Sequence, residues 1–297
     1  MWHEDNRVYM NANIHIKFYT DLNEVEGTKL LDKAFEQFAN VMAKYTRFNP
    51  ASQLGQLNSQ GPTGVQVSDE LFELVSSALE IAEQSGGVFD PTVIDFLEKH
   101  GYGNNLDKAQ SSYPYASTRS TFKQIELDRS NHKIKLMPGQ RLDLGGIGKG
   151  YAIDLASDAL SKCSSYYINA GGDIKVQGNN PNGKKWQIGI SDKSFGDDEQ
   201  KVIDVIALDS GAIACSGGWA RKLGSAHHLI NPKTGGSDFA VNEVYTRHQS
   251  AMLADAWATA IYVNGSVDGM QLPPNLEWMI VNARGILSSS DNFYERD

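Results

Sequence analysis

The first clear pattern of hydrophobic and polar residues lies near the start of the chain. Between residues 8 and 19 apolar and polar side chains alternate, which predicts one half-buried strand. From residue 29 to residue 45 apolar side chains recur every three or four positions, which predicts a helix. A second helix is predicted over residues 68–84, because Ser68 is a suitable N-cap and Gly86 follows the last turn.

The rest of the chain mixes helix and strand patterns without a regular rhythm. The segment FKQIELDRSNHKIKLM predicts a hairpin that turns at residues 129–131, and the polar residues 101–121 predict a long excursion over the surface. Further strands are predicted at SYYIN, DIKVQG, WQIGIS and VIDVIAL, a mostly apolar helix over residues 251–263, and a last strand at EWMIVN. This order favours an α+β fold, in which a mixed or antiparallel sheet core carries flanking helices within one domain spanning residues 1–297.

Composition and charge exclude several classes of function. A net charge of −9 argues against a nucleic-acid-binding face, although a local basic pocket stays compatible with it. No apolar run approaches the length of a transmembrane helix. The chain has 2 cysteines, so a disulfide framework or a multi-cysteine zinc site is not expected, and Cys163 and Cys215 are interpreted as small buried hydrophobic residues.

A glycine-rich turn with a lysine, RLDLGGIGKGYAIDLA (residues 141–156), is the strongest candidate for phosphate chemistry. It is not a Walker loop, since Asp143 stands where the first glycine belongs and Gly150 where the Mg²⁺-binding hydroxyl belongs. It is not a dinucleotide fingerprint either, because that pattern would end on Tyr151 or Ile153.

The physical properties of this turn nevertheless suit an anion. Its glycines let backbone N–H groups approach a ligand without a Cβ in the way, and the helix predicted to run on to about Ser161 would direct its positive end to the same place. Lys149 would add a full positive charge. The alternative is a close-packed strand-to-helix turn whose lysine faces water.

Two other segments carry candidate chemistry. In SGGWARKLGSAHHLINPKTGG (residues 216–236) His227 and His228 are adjacent, so on an extended backbone they point in opposite directions and cannot bind one metal together. The NPKTGG part predicts a turn. In MLADAWATAIYV, Asp255 and Thr259 share one helix face, and a carboxylate with a hydroxyl suits Mg²⁺. The alternative there is a threonine bonded to its own helix.

Taken together, seven segments spread over more than 200 residues resemble the ApbE family, the FAD:protein FMN transferases. They are TRFNPASQLGQLN (46–58), GGVFDPTV (86–93), LDLGGIGKGYAID (142–154), YYINAGGDIKVQG (166–178), GAIACSGG (211–218), HHLINPKTGG (227–236) and ADAWATAIYV (254–263). The resemblance implies an ApbE-like, T-fold-related architecture. It also implies that the protein uses Mg²⁺ to transfer the FMN half of FAD onto a threonine or serine hydroxyl of an acceptor flavoprotein subunit, releasing AMP.

The resemblance also implies roles for particular residues. Asp255 and Thr259 match the metal ligands, and the backbone carbonyl of Gly146 takes the place where the family usually has an alanine carbonyl. His228, Lys149 and Asp255 are the implied catalytic residues, with His228 as the base or orienting group for the incoming hydroxyl. The residues expected to contact FAD are Asn49, Ser52, Asn58, Asp90, Thr92, Gly145, Gly148, Lys149, Gly171, Gly172, Asp173, Ser216 and His228.

Several alternatives stay open at the level of sequence. The same residues would serve a Mg²⁺-dependent FAD pyrophosphatase that yields FMN and AMP, and a non-catalytic FAD-binding carrier is the alternative of a different class. Many relatives carry a lipobox or signal leader, and none is apparent here. The expected location is the cell-envelope or periplasmic side if a leader has been removed, and the cytoplasm otherwise. The acceptor is not marked in the sequence.

Overall fold

A large antiparallel sheet forms the centre of the structure. The computed structural model describes residues 1–102, 121–192, 201–218, 229–237, 239–282, 285 and 287–294. The described strands are β1 (Trp2–Tyr9), β2 (Ala12–Tyr19), β3 (Val65–Gln66), β4 (Glu126–Asp128), β5 (Lys133–Lys135), β6 (Ser165–Ala170), β7 (Asp173–Gln177), β8 (Trp186–Asp192), β9 (Lys201–Leu208), β10 (Ser210–Gly217), β11 (Val241–His248), β12 (Glu277–Asn282) and β13 (Leu287–Ser289). The described helices are α1 (Glu24–Tyr45), α2 (Gln53–Gln60), α3 (Asp69–Gln84), α4 (Ile94–Lys99), α5 (Gly148–Ala159) and α6 (Ala251–Asn264).

The described strands pair in three sheets, all antiparallel. The large sheet has the order β1-β2-β6-β7-β10-β11-β12-β13, while β3, β5 and β4 form a small sheet and β8 and β9 form a two-stranded one. Strands and helices are not arranged as βαβ units, so the predicted α+β class is confirmed. The predicted hairpin at residues 129–131 is also confirmed as β4 and β5.

The start of the chain differs from the prediction of a single strand over residues 8–19. The chain reverses at Met10 and Asn11, whose φ angles are 52° and 57°, so β1 and β2 form a hairpin with a two-residue turn. The alternation is real within β2, where Ile14, Ile16 and Phe18 are fully buried. Tyr9 pairs with Ala12, so the turn shifts the inward-facing positions from even numbers in β2 to odd numbers in β1. Only Val8 and Tyr9 of the predicted strand lie in β1, which is too short a stretch for the alternation to reveal this change.

Helices cover one face of the large sheet and the β8–β9 hairpin covers the other. The main core lies between the sheet and the helices α1, α3, α5 and α6, and a second cluster under the hairpin includes Ile188, Ile206 and Trp186. In α1 the side chains of Leu31, Phe35 and Phe38 are buried at helical spacing, as the pattern predicted. Side chains on both faces of the large sheet are thus buried, those of β2 and β6 under the helices and those of β7 and β12 under the hairpin.

The ends of the helices follow their capping residues. The hydroxyl of Ser68 accepts a hydrogen bond from the Leu71 N–H, which confirms the predicted start of the second helix. Helix α1 begins earlier than predicted, at Glu24, because the Asn23 side chain caps it. Helix α5 ends at Ala159, two residues before the predicted end. The strand at EWMIVN is β12, but it is not the last one, since β13 follows and pairs with it.

Helix α6 is buried on nearly all sides, which is why its sequence is mostly apolar. It crosses α5 at Gly150, where the two backbones come together with no side chain between them. A Cβ at Gly150 would lie 2.3 Å from the carbonyl oxygen of Ala251 and 2.7 Å from the Cα of Met252. Only glycine fits at this crossing.

Within the described ranges, no helix combines the length and the apolar character that crossing a bilayer requires.

The crossing gives a first testable prediction. Replacement of Gly150 by alanine should push the two helices apart and lower the free energy of unfolding by about 1–3 kcal/mol, the usual cost of overpacking. The measurement is the urea midpoint of the purified protein. Gly148→Ala in the same helix is the matched control, because a Cβ there would meet only the terminal methyl of Met10, at 3.8 Å. Equal midpoints for the two variants would contradict the prediction.

Candidate active site

The glycine turn lies where β5 has ended and α5 begins, and its backbone N–H groups are largely engaged within the protein. The N–H of Gly145 donates to Asp143 Oδ1 at 2.7 Å. The N–H of Gly148 donates to the carbonyl of Leu144 at 2.8 Å, which starts the helix. The sequence predicts that these N–H groups face a phosphate. In this structure they stabilise the turn instead, because the Asp143 carboxylate and the Leu144 carbonyl accept their hydrogen bonds.

The positive end of α5 faces a carboxylate of α6. The N–H of Gly150 donates to Asp255 Oδ2 at 2.9 Å, and Asp255 Oδ1 lies 3.8 Å from Lys149 Nζ. Asp255 is almost fully buried. A carboxylate at a helix N-terminus is stabilised by the exposed N–H groups and the helix dipole. The close crossing at Gly150 thus brings Asp255 to the glycine turn.

Thr259, one helical turn after Asp255, lies on the same face, as predicted. Its hydroxyl is 3.2 Å from the hydroxyl of Ser216 on β10, and this contact reaches out of its own helix. Its methyl carbon would be 3.9 Å from a Cβ built at Gly146. The structure therefore brings together the three predicted metal-binding positions, Gly146, Asp255 and Thr259.

A second buried carboxylate approaches from the sheet. Asp173 is the first residue of β7, and it follows Gly171 and Gly172, whose φ angles are 65° and 105° and suit glycine. Asp173 Oδ1 accepts the N–H of Cys215 at 3.1 Å, and Oδ2 forms an ion pair with Lys149. The ammonium of Lys149 is thus held between two buried carboxylates, those of Asp173 and Asp255.

The donor atoms at this place suit a small hard cation. Carboxylate, hydroxyl and main-chain carbonyl oxygens are the ligands that Mg²⁺ accepts, and Mg²⁺ keeps part of its shell for water and substrate phosphates. The described residues contain no cluster of three or more histidine, cysteine, aspartate or glutamate side chains that could hold a metal ion. The donor set therefore fits Mg²⁺ shared with a phosphate ligand, and it does not fit a structural zinc site.

The GGVFDPTV segment packs against the glycine turn. Asp90 Oδ1 accepts hydrogen bonds from the Thr92 N–H at 2.8 Å and from the Thr92 hydroxyl at 2.6 Å, which closes a tight turn. The Pro91 carbonyl accepts the Asp143 N–H at 2.8 Å, and the ring of Phe89 would lie 3.1 Å from a Cβ at Gly146. The structure thus places Asp90 and Thr92 next to the site.

The polar residues of the 46–58 segment are used mainly for local structure. Ser52 caps α2 by accepting the Gly55 N–H at 2.9 Å. The amide of Asn58 bonds both backbone groups of Leu142, at 2.9 and 2.7 Å, and so fixes the chain that enters the glycine turn. Asn49 is exposed and accepts the Ala51 N–H at 3.0 Å. Their contacts with FAD stay a prediction.

Arg47 was missed in the sequence. It follows α1, its side chain is only 8% exposed, and its Nε lies 2.6 Å from Asp143 Oδ2. The guanidinium also contacts the carbonyl of Tyr102. Arg47 therefore anchors the glycine turn to the end of α1. A charged residue just after an amphipathic helix was the available signal, but its partner Asp143 lies far away in sequence.

The segment that follows His228 forms the predicted turn. The N–H of Asn231 donates to the Gly236 carbonyl at 2.8 Å, and the N–H of Gly235 donates to the Asn231 carbonyl at 2.7 Å. His100, at the end of α4, bonds the Gly235 carbonyl at 2.8 Å. His227 and His228 lie outside the described residues, as do residues 103–120 of the predicted surface excursion.

With this geometry in place, similarity to known proteins decides the family. The ApbE family model matches residues 10–279. The chain belongs to the ApbE family.

Individual ApbE relatives agree with this assignment. The FAD:protein FMN transferase of Chlamydia muridarum is 29% identical over 250 residues, which cover 80% of this chain and 75% of the relative. The crystal structure of the ApbE protein of Thermotoga maritima superimposes with a TM-score of 0.87 at 28% identity and covers 100% of both chains. The flavin transferase ApbE of Vibrio cholerae has a TM-score of 0.81 at 22% identity, covers 99% of this chain and 98% of its own, and supports the fold.

The buried ion pair gives a second testable prediction. Lys149→Met should leave the Asp173 carboxylate buried without its ammonium partner and lower the free energy of unfolding by about 3 kcal/mol in metal-free buffer. Urea unfolding of this variant, of Asp173→Asn and of the double variant measures the coupling between the two residues. Lys162→Met is the control, because Lys162 follows the same helix and is exposed. Additive effects of the two substitutions would show that the pair does not act as a unit.

Proposed function

We propose that this ApbE-family protein is an FAD:protein FMN transferase that uses Mg²⁺ to move the FMN half of FAD onto a threonine or serine hydroxyl of an acceptor flavoprotein, releasing AMP. The observation that carries the proposal is the meeting of Asp255, Thr259 and Gly146 next to Lys149 at the glycine turn. The family match over residues 10–279 supports the reaction class.

The proposed metal ligands are the Asp255 carboxylate, the Thr259 hydroxyl and the Gly146 carbonyl. Bound Mg²⁺ would neutralise charge on the pyrophosphate of FAD and on the leaving AMP. Ser216 holds the Thr259 hydroxyl in place from β10, since the two oxygens are 3.2 Å apart. Asp173, Gly171 and Gly172 complete this side of the site.

In this proposal Lys149 supplies the positively charged side chain that contacts the phosphates of FAD. Its ammonium is a point charge on a flexible stem, and it is held in the site by Asp173. A lysine in this position can contact phosphate oxygens of FAD and stabilise the charge that builds on the bridging oxygen. Asp173 orients Lys149 without touching the reacting atoms.

The proposed reaction exchanges one P–O bond for another. The acceptor hydroxyl oxygen attacks the phosphorus of the FMN half, and the bond from that phosphorus to the bridging oxygen breaks. AMP leaves with the bridging oxygen, and the hydroxyl proton passes to His228, the proposed base. Water in place of the hydroxyl would give FMN and AMP, which is the pyrophosphatase alternative.

A transfer assay tests the proposed activity. The protein is incubated with FAD, Mg²⁺ and a candidate acceptor subunit, and a denaturing gel is viewed under ultraviolet light. We expect fluorescence in the acceptor band that EDTA abolishes. Asp255→Asn should lower the rate by about a hundredfold or more, because a charge-stabilising group is lost. Asp268→Asn, an exposed aspartate beyond α6, is the matched control. If FMN and AMP accumulate in solution and none of the acceptor bands fluoresces, the pyrophosphatase alternative is favoured.

The role of His228 has its own test. His228→Ala should slow transfer by about 10²–10⁴-fold, the usual contribution of a general base, and this loss should exceed any loss in the binding of FAD measured by flavin fluorescence. The adjacent His227→Ala is the matched control and should retain activity, because His227 has no role in the proposed reaction. Unchanged turnover in His228→Ala would remove this role.

A further inference from the structure

The carboxylate of Asp154 lies at the junction of three elements that carry the site. Asp154 is on α5, five residues after Lys149. Its Oδ1 accepts hydrogen bonds from Lys175 Nζ at 2.7 Å and from the Ala251 N–H at 2.8 Å. Its Oδ2 accepts the Ser250 hydroxyl at 2.7 Å and the Met252 N–H at 3.0 Å. One carboxylate therefore accepts four hydrogen bonds from β7 and from the start of α6.

These donors include the first backbone groups of α6. The N–H groups in the first turn of a helix have no partner inside the helix, and here Asp154 accepts two of them, those of Ala251 and Met252. Ser250 is the N-cap of α6, and its hydroxyl also accepts the Leu253 N–H at 3.2 Å. Asp154 thus fixes both the direction and the start of α6. Asp255 follows one helical turn later and Thr259 two turns later.

The contact between α5 and β7 includes two ion pairs of opposite polarity. Lys149 of α5 pairs with Asp173 of β7, and Asp154 of α5 pairs with Lys175 of β7. Asp173 and Lys175 are two residues apart, so they lie on the same face of the strand. A shift of α5 along β7 would bring like charges together. The two pairs therefore select one register between the helix and the strand.

A neutral histidine completes the junction. His248 Nδ1 accepts the Ser250 N–H at 2.9 Å, so this nitrogen must carry no proton. Burial lowers the pKa of His248 below its usual value and keeps the ring in the neutral form that can accept this bond, while Asp154 nearby acts in the opposite direction. The chain that enters α6 is held on both sides of Ser250.

We propose that Asp154 is a positioning residue for the metal-binding end of the site: it holds α6 against α5 so that Asp255 and Thr259 stay aligned with Gly146 and Lys149. The inference rests on the proposed function, because it takes Asp255 and Thr259 as ligands of Mg²⁺. The described hydrogen-bond partners of Asp154 are Lys175, Ser250, Ala251 and Met252, and none of them is a proposed ligand or catalytic residue.

Asp154→Asn is the most informative substitution. An asparagine has nearly the same shape, but one of its two terminal groups is an N–H donor and it carries no charge. It therefore cannot accept bonds on both sides and cannot pair with Lys175. We expect the start of α6 to loosen, so that metal binding must first restore the alignment of Asp255 and Thr259. The apparent affinity for the metal should fall about tenfold, while the rate at saturating Mg²⁺ should change by less than about threefold.

The test measures metal binding directly on the full chain. MnCl₂ is titrated into the protein without FAD, and free Mn²⁺ is followed by electron paramagnetic resonance. Asp158→Asn is the matched control, because Asp158 lies on the same helix and is exposed. Ser250→Gly is a milder second variant that removes one donor to Asp154, and it should weaken Mn²⁺ binding about threefold. Glycine remains an acceptable N-cap, so this variant is expected to fold.

The outcomes separate positioning from general stability and from the proposed function. Weaker Mn²⁺ binding in Asp154→Asn and Ser250→Gly, with Asp158→Asn unchanged, supports the inference. A lower melting temperature in both variants with unchanged Mn²⁺ affinity overturns it, because Asp154 would then be merely structural. If the unmodified protein does not bind Mn²⁺, both the metal site of the proposed function and this inference are contradicted. If it binds Mn²⁺ and both variants bind equally well, the inference alone fails.

Discussion

The crossing of α5 and α6 at Gly150 is the contact on which the site depends. With no side chain between the helices, the N–H of Gly150 reaches the Asp255 carboxylate at 2.9 Å. A larger residue would meet the backbone of Ala251 at 2.3 Å from its Cβ. The crossing also gives the almost fully buried Asp255 carboxylate a backbone hydrogen bond, which replaces part of its lost hydration.

This arrangement changes the physical role of the glycine turn. In many phosphate sites the N-terminus of a helix binds the phosphate itself. Here the N-terminus of α5 binds Asp255, and the N–H groups of Gly145 and Gly148 stay within the turn. In the proposed reaction, phosphate recognition therefore passes to Lys149 and to the cation that Asp255 would hold. This division suits an enzyme whose substrate carries its own pyrophosphate and shares the metal with the protein.

The site is assembled from elements that are far apart in sequence. Lys149 comes from α5, Asp173 from β7, Ser216 from β10 and Thr259 from α6. Ion pairs and caps between these elements hold them in one register, and Asp154 takes part in both kinds of contact, through Lys175 and through the start of α6. Arg47 does the same for the glycine turn from the end of α1. A rigid site of this kind needs supporting residues as much as ligands.

The sequence alone determined the helices α1, α3, α5 and α6, the α+β class and the family, but it did not reveal the eight-residue strands β1, β10 and β11. The apolar period predicted α1 and α3, and the Ser68 cap predicted the start of α3. The shared face of Asp255 and Thr259 followed from helical geometry, since all of these depend on residues close together in the chain. The short helices α2 and α4 and the reversal at Met10 carry too little periodicity to detect. Only the tertiary structure decided which carboxylate pairs with which lysine. It also decided that the Gly150 N–H donates a hydrogen bond to Asp255. Such pairings depend on how distant elements pack, and no local pattern encodes them.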